Sequence, residues 1–162
     1  MRLEQTIMRK NYKILIRRAR ETDAHDLWCW RNDQSTRRNS LTTKKISFSE
    51  HKAWFVKSLK SRFRKIYMAT LNRIKIGTVR LDFPEKKIIE VSISIHPQYR
   101  NKGLGKQILH QIDSLIKKKY TDRIQKSIIK LSNIASEKLF STVGYTQIHV
   151  VPKLRYSIWI KQ

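Results

Sequence analysis

The stretch from Ile88 to Ile116 constrains the fold more than any other part of this chain. Ile88 to Ile95 alternates apolar and polar side chains, the period of a strand, and Leu104, Ile108, Ile112, Leu115 and Ile116 recur at helical spacing. Between them His96-Pro97 ends the strand, and Arg100, Gly103 and Gly105 stand in the pattern Arg-x-x-Gly-x-Gly. A strand, a tight glycine turn and a helix must follow one another here. The first amides of such a helix have no intrahelical partner, and the helix dipole makes that end partly positive. Two glycines remove the Cβ atoms that would keep a ligand off the backbone. Arg100, Lys102 and Lys106 add charge around the turn. The segment is suited to cradle a pyrophosphate. It has neither the dinucleotide spacing Gly-x-Gly-x-x-Gly nor the Walker spacing. A turn whose glycines serve only the backbone is the competing reading, and the strand and helix on either side favour phosphate.

A length of 162 residues suits one domain with a core of ordinary size. Residues 1–11 read as a lead-in and 12–162 as the domain, with no linker or repeat dividing it. No apolar run approaches the ~18 residues a membrane span requires. The charged N-terminus does not read as a signal peptide. The single Cys29 excludes an internal disulfide, and the scattered histidines make a metal site unexpected. A cytoplasmic protein with no membrane partner fits these facts. The charge is extreme, at 36 Lys plus Arg against 12 Asp plus Glu. Residues 51–81 hold nine cations and no acid. Such a field attracts polyanions: nucleic acid, anionic lipid, a phosphorylated cofactor or a nucleotide-sugar. No aromatic RNA-binding signature or Cys/His finger accompanies it. A solvated basic surface remains the simplest account of most of these residues.

Along the chain, residues 13–19 read as a strand and Thr22 as the cap of a helix through Leu27, Trp28 and Trp30. Residues 33–46 read as a polar loop with at most a helical turn. Ser47 and Glu50 form a capping box for a helix that turns Phe55, Leu59 and Trp54 toward the core. Strands 66–71 and 74–83 meet at Asn72-Arg73, a hairpin turn. Strand 86–96, helix 104–119, strand 124–131, helix 135–142 and strands 147–151 and 154–160 complete the order β-α-α-β-β-β-α-β-α-β-β. That order predicts an α/β domain with a mixed sheet and helices on both faces.

This order, with the phosphate turn after the fourth strand, resembles the GNAT superfamily of acyl-CoA-dependent N-acetyltransferases. IIEVSISIHPQYRNKGLGKQIL is similar to the family's acetyl-CoA motif, and NIASEKLFSTVGY, from Asn133 to Tyr145, to its later motif. The resemblance implies a mostly antiparallel sheet whose fourth and fifth strands splay apart. The pantetheine arm of acetyl-CoA would lie in the gap on the amides of Ile93 and Ile95. Its diphosphate would sit on the amides from Asn101 through Lys102, Gly103, Leu104 and Gly105 to Lys106, beside Arg100. Asn133 would bond to the arm. LWCWRNDQSTRR and HKAWFVKSL resemble the bacterial nucleotide-sugar amine acetyltransferases of pseudaminic-acid-type pathways, with a broader likeness to ribosomal-protein N-terminal acetyltransferases. That likeness implies Trp30, Arg31, Asn32, Arg38, His51 and Trp54 on the acceptor side. For Trp54 and Trp28 simple core packing competes with this role.

Acetyl transfer requires a neutral amine, so a base must remove a proton. Glu90, Ser92, Ser94 and His96 share one strand face, and Glu90 stands where the family's carboxylate base stands; a salt bridge to a nearby cation is its alternative. The expected acceptor is a small-molecule amine, foremost a nucleotide-linked amino sugar. A protein N-terminus or lysine with an acidic partner is the alternative, and a nucleic-acid-binding module on a degenerate acetyltransferase fold is a third. Phe140 occupies the position where the family often carries an acidic Tyr. Tyr145 is expected to pack at the helix exit, and Cys29, between two tryptophans, to be buried.

Overall fold

The computed structural model describes residues 13–162, so the expected lead-in over residues 1–11 lies outside the described residues. Strands β1 (Ile14–Arg18), β2 (Arg64–Leu71), β3 (Ile74–Glu85), β4 (Ile88–Ile95), β5 (Ile124–Lys130), β6 (Thr146–Val151) and β7 (Tyr156–Lys161) make one sheet, ordered β1-β2-β3-β4-β5-β7-β6. The helices are α1 (Ala24–Asn32), α2 (Gln34–Asn39), α3 (Phe48–Lys60), α4 (Leu104–Lys119) and α5 (Ile134–Thr142). Every neighbouring pair is antiparallel except β4 and β5. This is the mixed α/β sheet that the element order predicts, mostly antiparallel as the resemblance implies.

Local chemistry explains most boundaries. Asn72 and Arg73 both adopt positive φ, 50° and 69°, as a two-residue hairpin turn requires. Ser47 Oγ accepts from the Glu50 amide and the Glu50 carboxylate accepts from the Ser47 amide, completing the capping box of α3. Thr22 is not a cap: it lies in a short 3-10 turn, Glu21–Asp23, that leads into α1. Residues 34–39 form a helix rather than a loop, capped by Asp33, whose carboxylate accepts from the Thr36 amide at 2.9 Å.

The core has two layers. Val79, Leu81, Ile89 and Val91 face Leu104, Ile108, Ile112 and Ile116 of α4 and Phe140 of α5. On the other face Ile66 and Met68 meet Ala24, Leu27 and Trp30 of α1 and Phe55 of α3. Each fully buried Ile or Leu contributes about 1.5–3 kcal/mol.

One irregularity positions everything that follows. β4 stays paired with β3 as far as Ile95 opposite Gly77, and β5 stays paired with β7 from Gln125 to Lys130. Between themselves β4 and β5 match only at Ile88–Ile124, Ile89–Gln125 and Glu90–Lys126, and then part. Gly77 helps to hold β4 on its β3 side, since a Cβ there would stand 2.9 Å from the Ser94 carbonyl oxygen.

Candidate active site

A cleft of about 1380 Å³ opens where the two strands part. β4 contributes Glu90 and Ser92 to Ile95, β5 Ser127 to Lys130, and the α1–α3 side contributes Trp30, Arg31, Thr36, Asn39, His51 and Trp54.

The turn before α4 forms one end. Asn101 and Gly103 have positive φ, 59° and 71°, and Gly103 caps the helix. A Cβ on Gly103 would meet nothing within 4 Å, so the turn faces open space. The Gln107 amide returns to the Gly103 carbonyl at 3.4 Å; among the described residues no amide from Asn101 to Lys106 has a backbone acceptor. Leu104 anchors the turn in the core, at 4 % exposure. Asn101, Gly105 and Lys106 line the cleft, whereas Lys102 lies outside it with its ammonium 5.6 Å from the Tyr99 ring. Six free amides at a helix start, unobstructed at Gly103, fit the diphosphate of a coenzyme A thioester.

Arg100 does something the charge argument did not foresee. Its Nε donates to the Ile95 carbonyl at 3.2 Å, Nη1 to Asp33 at 3.0 Å and Nη2 to Thr36 Oγ1 at 2.6 Å. Its fork is committed to α2 rather than turned on a phosphate.

The parted edge of β4 carries free backbone groups. The His96 amide donates to Ile76 on β3, and amides of an antiparallel strand alternate in direction, so those of Ile95 and Ile93 face the gap. Glu90 sits on the last paired rung, a quarter exposed, with its carboxylate 3.7 Å from Lys126 Nζ. Asn133 caps α5 by accepting from the Ser136 amide at 3.2 Å and donates to the Asn39 carbonyl at 3.4 Å.

Four of the six expected acceptor-side residues reach the cleft. Trp30 is 5 % exposed and meets His96 edge to face, with the ring centres 5.2 Å apart. Arg31 donates through Nη2 to the Thr42 carbonyl at 2.8 Å, while its Nη1 is buried without a partner among the described residues. His51, 4 % exposed, stacks on Phe55, and its Nε2 is likewise buried and unpartnered. Burial, reinforced by the Arg31 charge, lowers the His51 pKa, so its ring is neutral near pH 7. Burial and the Arg37 charge lower that of Arg31, though a guanidinium stays charged. Trp54 is not in the core: it is 38 % exposed, lines the cleft and lies under Arg64. Asn32 and Arg38 are elsewhere. Asn32 clamps the backbone of Ile46 through both ends of its amide, and the Arg38 side chain is in solvent.

Phe140 is buried against the cleft and Tyr145 stacks edge-on against it, its hydroxyl donating to Gln125 at 2.8 Å, so Tyr145 does not replace the missing acid. Cys29 is exposed, contrary to expectation, 3.7 Å from His25 Nδ1. Sequence reasoning missed Asp33, Thr36 and Arg80 in or beside the cleft. The Asp-x-x-Thr pattern of an N-cap was the available signal for the first two.

A parallel pair that separates after three rungs, with free amides at the open end, is the arrangement that the resemblance to acyl-CoA-dependent acetyltransferases implies. Residues 13–146 match the acetyltransferase (GNAT) domain, and the chain belongs to this family of acetyl-CoA-dependent acetyltransferases. Solved structures share the fold. Spermidine N-acetyltransferase from Vibrio cholerae, in complex with CoA and spermine, is 14% identical with a TM-score of 0.81, covering 91% of this chain and 92% of that one. The putative acetyltransferase yncA from Salmonella typhimurium, with acetyl-CoA, is 16% identical at 0.78, covering 93% and 94%. RimL, the ribosomal L7/L12 alpha-N-protein acetyltransferase, is 12% identical at 0.81, covering 94% and 91%. No curated protein matches the chain in sequence. Among the described residues no helix is long and apolar enough to cross a membrane.

Proposed function

We propose that this enzyme acetylates the primary amine of a nucleotide-linked amino sugar. The observation that carries the reading is the pair of buried, unpartnered polar atoms in the acceptor half, Arg31 Nη1 and His51 Nε2. A buried polar group left unpaired costs about 1–3 kcal/mol, and a phosphate or sugar oxygen would relieve both. The cleft wall supports the same class. It holds Arg31, Lys106, Lys130 and Lys138, which have no carboxylate partner among the described residues, with Arg80 and Arg100 paired to Asp82 and Asp33, and Glu50 and Glu90 as its lining acids. Such a wall repels a polyamine and attracts a nucleoside diphosphate. Trp54 offers a half-exposed face for a base or sugar ring.

The backbone turn from Asn101 to Lys106 holds the coenzyme diphosphate, and the Ile93 and Ile95 amides hold the pantetheine arm and donate to the thioester oxygen. Glu90, beside the point of parting, accepts a proton from the acceptor amine, directly or through one water. The amine nitrogen then bonds to the acetyl carbon as the carbon–sulfur bond breaks, the nitrogen gives its second proton to solvent, and the sulfur leaves as thiolate or takes a proton from solvent, since Phe140 has none to give.

The test measures acetyl transfer to nucleotide-linked amino sugars beside spermidine and an N-terminal peptide, with Arg31→Ala alongside. The amino sugar should be preferred, and Arg31→Ala should raise its KM about 10–150-fold, the worth of a hydrogen bond to a charged group. Preference for spermidine or the peptide overturns the acceptor assignment and leaves the enzyme class standing.

A further inference from the structure

α2 is six residues long and has no buried side chain, so packing does not explain why it is held. Side chains from both lips of the cleft hold it instead. At its N-terminal end Arg100, from the cofactor turn, reaches Asp33 and Thr36 while also bonding the last carbonyl of β4. At its C-terminal end Lys130, the last residue of β5, donates to the Arg38 carbonyl at 2.7 Å, and Asn133 donates to the Asn39 carbonyl. The helix is a crosspiece over the gap, tied to β4 at one end and to β5 at the other. It also presents Ser35, Thr36 and Asn39 to the cleft. Asp33 is the joint: one carboxylate caps the helix through the Thr36 amide and hydroxyl and receives the Arg100 guanidinium.

We propose that Asp33 is a positioning residue of the transfer reaction, joining the cofactor turn through Arg100 to the helix that walls the acceptor. Seating the diphosphate on the turn then orders α2, and the acceptor meets a wall already aligned with the thioester. The inference rests on the cofactor reading above. A side chain acting this way changes the use of the acceptor more than the hold on the coenzyme.

The experiment must separate the cap from the ion pair. Asp33→Ser keeps a good N-cap but is too short to reach Arg100. Arg100→Lys keeps the charge and loses the fork. Hydrogen exchange, with CoA as the probe, is followed over residues 33–40 and over the turn at residues 101–106. In the unaltered protein CoA should slow exchange in both segments. In Asp33→Ser and Arg100→Lys the turn should remain protected by CoA, with its Kd within about threefold, and the added protection over residues 33–40 should fall at least tenfold. With the acceptor identified by the assay above, Asp33→Ser should raise acceptor KM or lower kcat about tenfold without a matching change for acetyl-CoA. Equal CoA-dependent protection of α2 in Asp33→Ser, or none in the unaltered protein while the turn is protected, overturns the coupling alone. Absence of CoA protection at the turn sinks the cofactor assignment and the coupling with it.

Discussion

Replacing Gly103 by Glu tests the cofactor turn most directly. Gly103 has φ 71° and ψ 0°, a left-handed conformation that costs an ordinary residue about 1–2 kcal/mol. In a domain of this size that lowers Tm by about 2–8 °C, so the variant still folds. A new side chain meets no protein atom within 4 Å and enters the open space before the free amides. A carboxylate about 4 Å from one phosphate charge is repelled by roughly 4 kcal/mol at an effective dielectric of 20, nearly a thousandfold in affinity. Screening at the mouth reduces this, and a loss of at least ~100-fold is expected. Gly103→Ala separates strain from charge. Calorimetry with acetyl-CoA measures the effect, and acetyl-pantetheine, which lacks the diphosphate, should be used equally well by Gly103→Glu and the unaltered enzyme. A folded Gly103→Glu protein that binds acetyl-CoA with undiminished affinity refutes the assignment.

Further outcomes are expected. Glu90→Gln should lower kcat about 10²–10⁴-fold while leaving the Kd of acetyl-CoA unchanged, measured by thiol release across pH. Asp23 is fully buried against Arg17 and Lys75, and Asp23→Ala should cost about 1–3 kcal/mol in denaturant unfolding, because Arg17 loses its carboxylate and Lys75 keeps only Asp26. Burial alone would raise the Asp23 pKa, but the bonds from Arg17, Lys75 and the Arg20 amide outweigh it and hold it far below normal. Its stabilisation is complete above the unfolded value near pH 4 and is lost as pH falls toward the folded value, so Tm should fall steeply below about pH 4. His51 resists protonation, so a shallower loss should begin below about pH 6.5 and vanish in His51→Gln. Native Cys29 should react with iodoacetamide at the rate of an exposed thiol, and slow labelling would contradict its position on α1.

The sequence disclosed whatever local chemistry determines. Period-two runs gave the strands, the spacing of Ile108, Ile112 and Ile116 gave α4, and Ser47 with Glu50 marked the start of α3. The glycine turn could be read because its conformation is written in residue types. The misses share one cause. Residues 34–39 have no apolar period, and their helix rests on Arg100, Lys130 and Asn133, distant in sequence. Trp54 and Phe55 are neighbours on one helix, and only the sheet beneath decides that Phe55 is buried and Trp54 faces the cleft. Arg100 looked like a phosphate ligand until Asp33 was found 67 positions away in its grasp. The entry of β7 between β5 and β6 is a property of the whole sheet, which no short pattern announces.

Each strand bordering the gap has a full partner behind it, β3 for β4 and β7 for β5. The slot is therefore a stiff mortise and not a seam that ligand must pry open. An extended amide chain entering it would find its row of donors standing ready, much as a late-arriving strand would. Little of the sheet would need to reorganise, so beyond the ordering of α2 the heat-capacity change on coenzyme binding should report the surface the ligand itself covers.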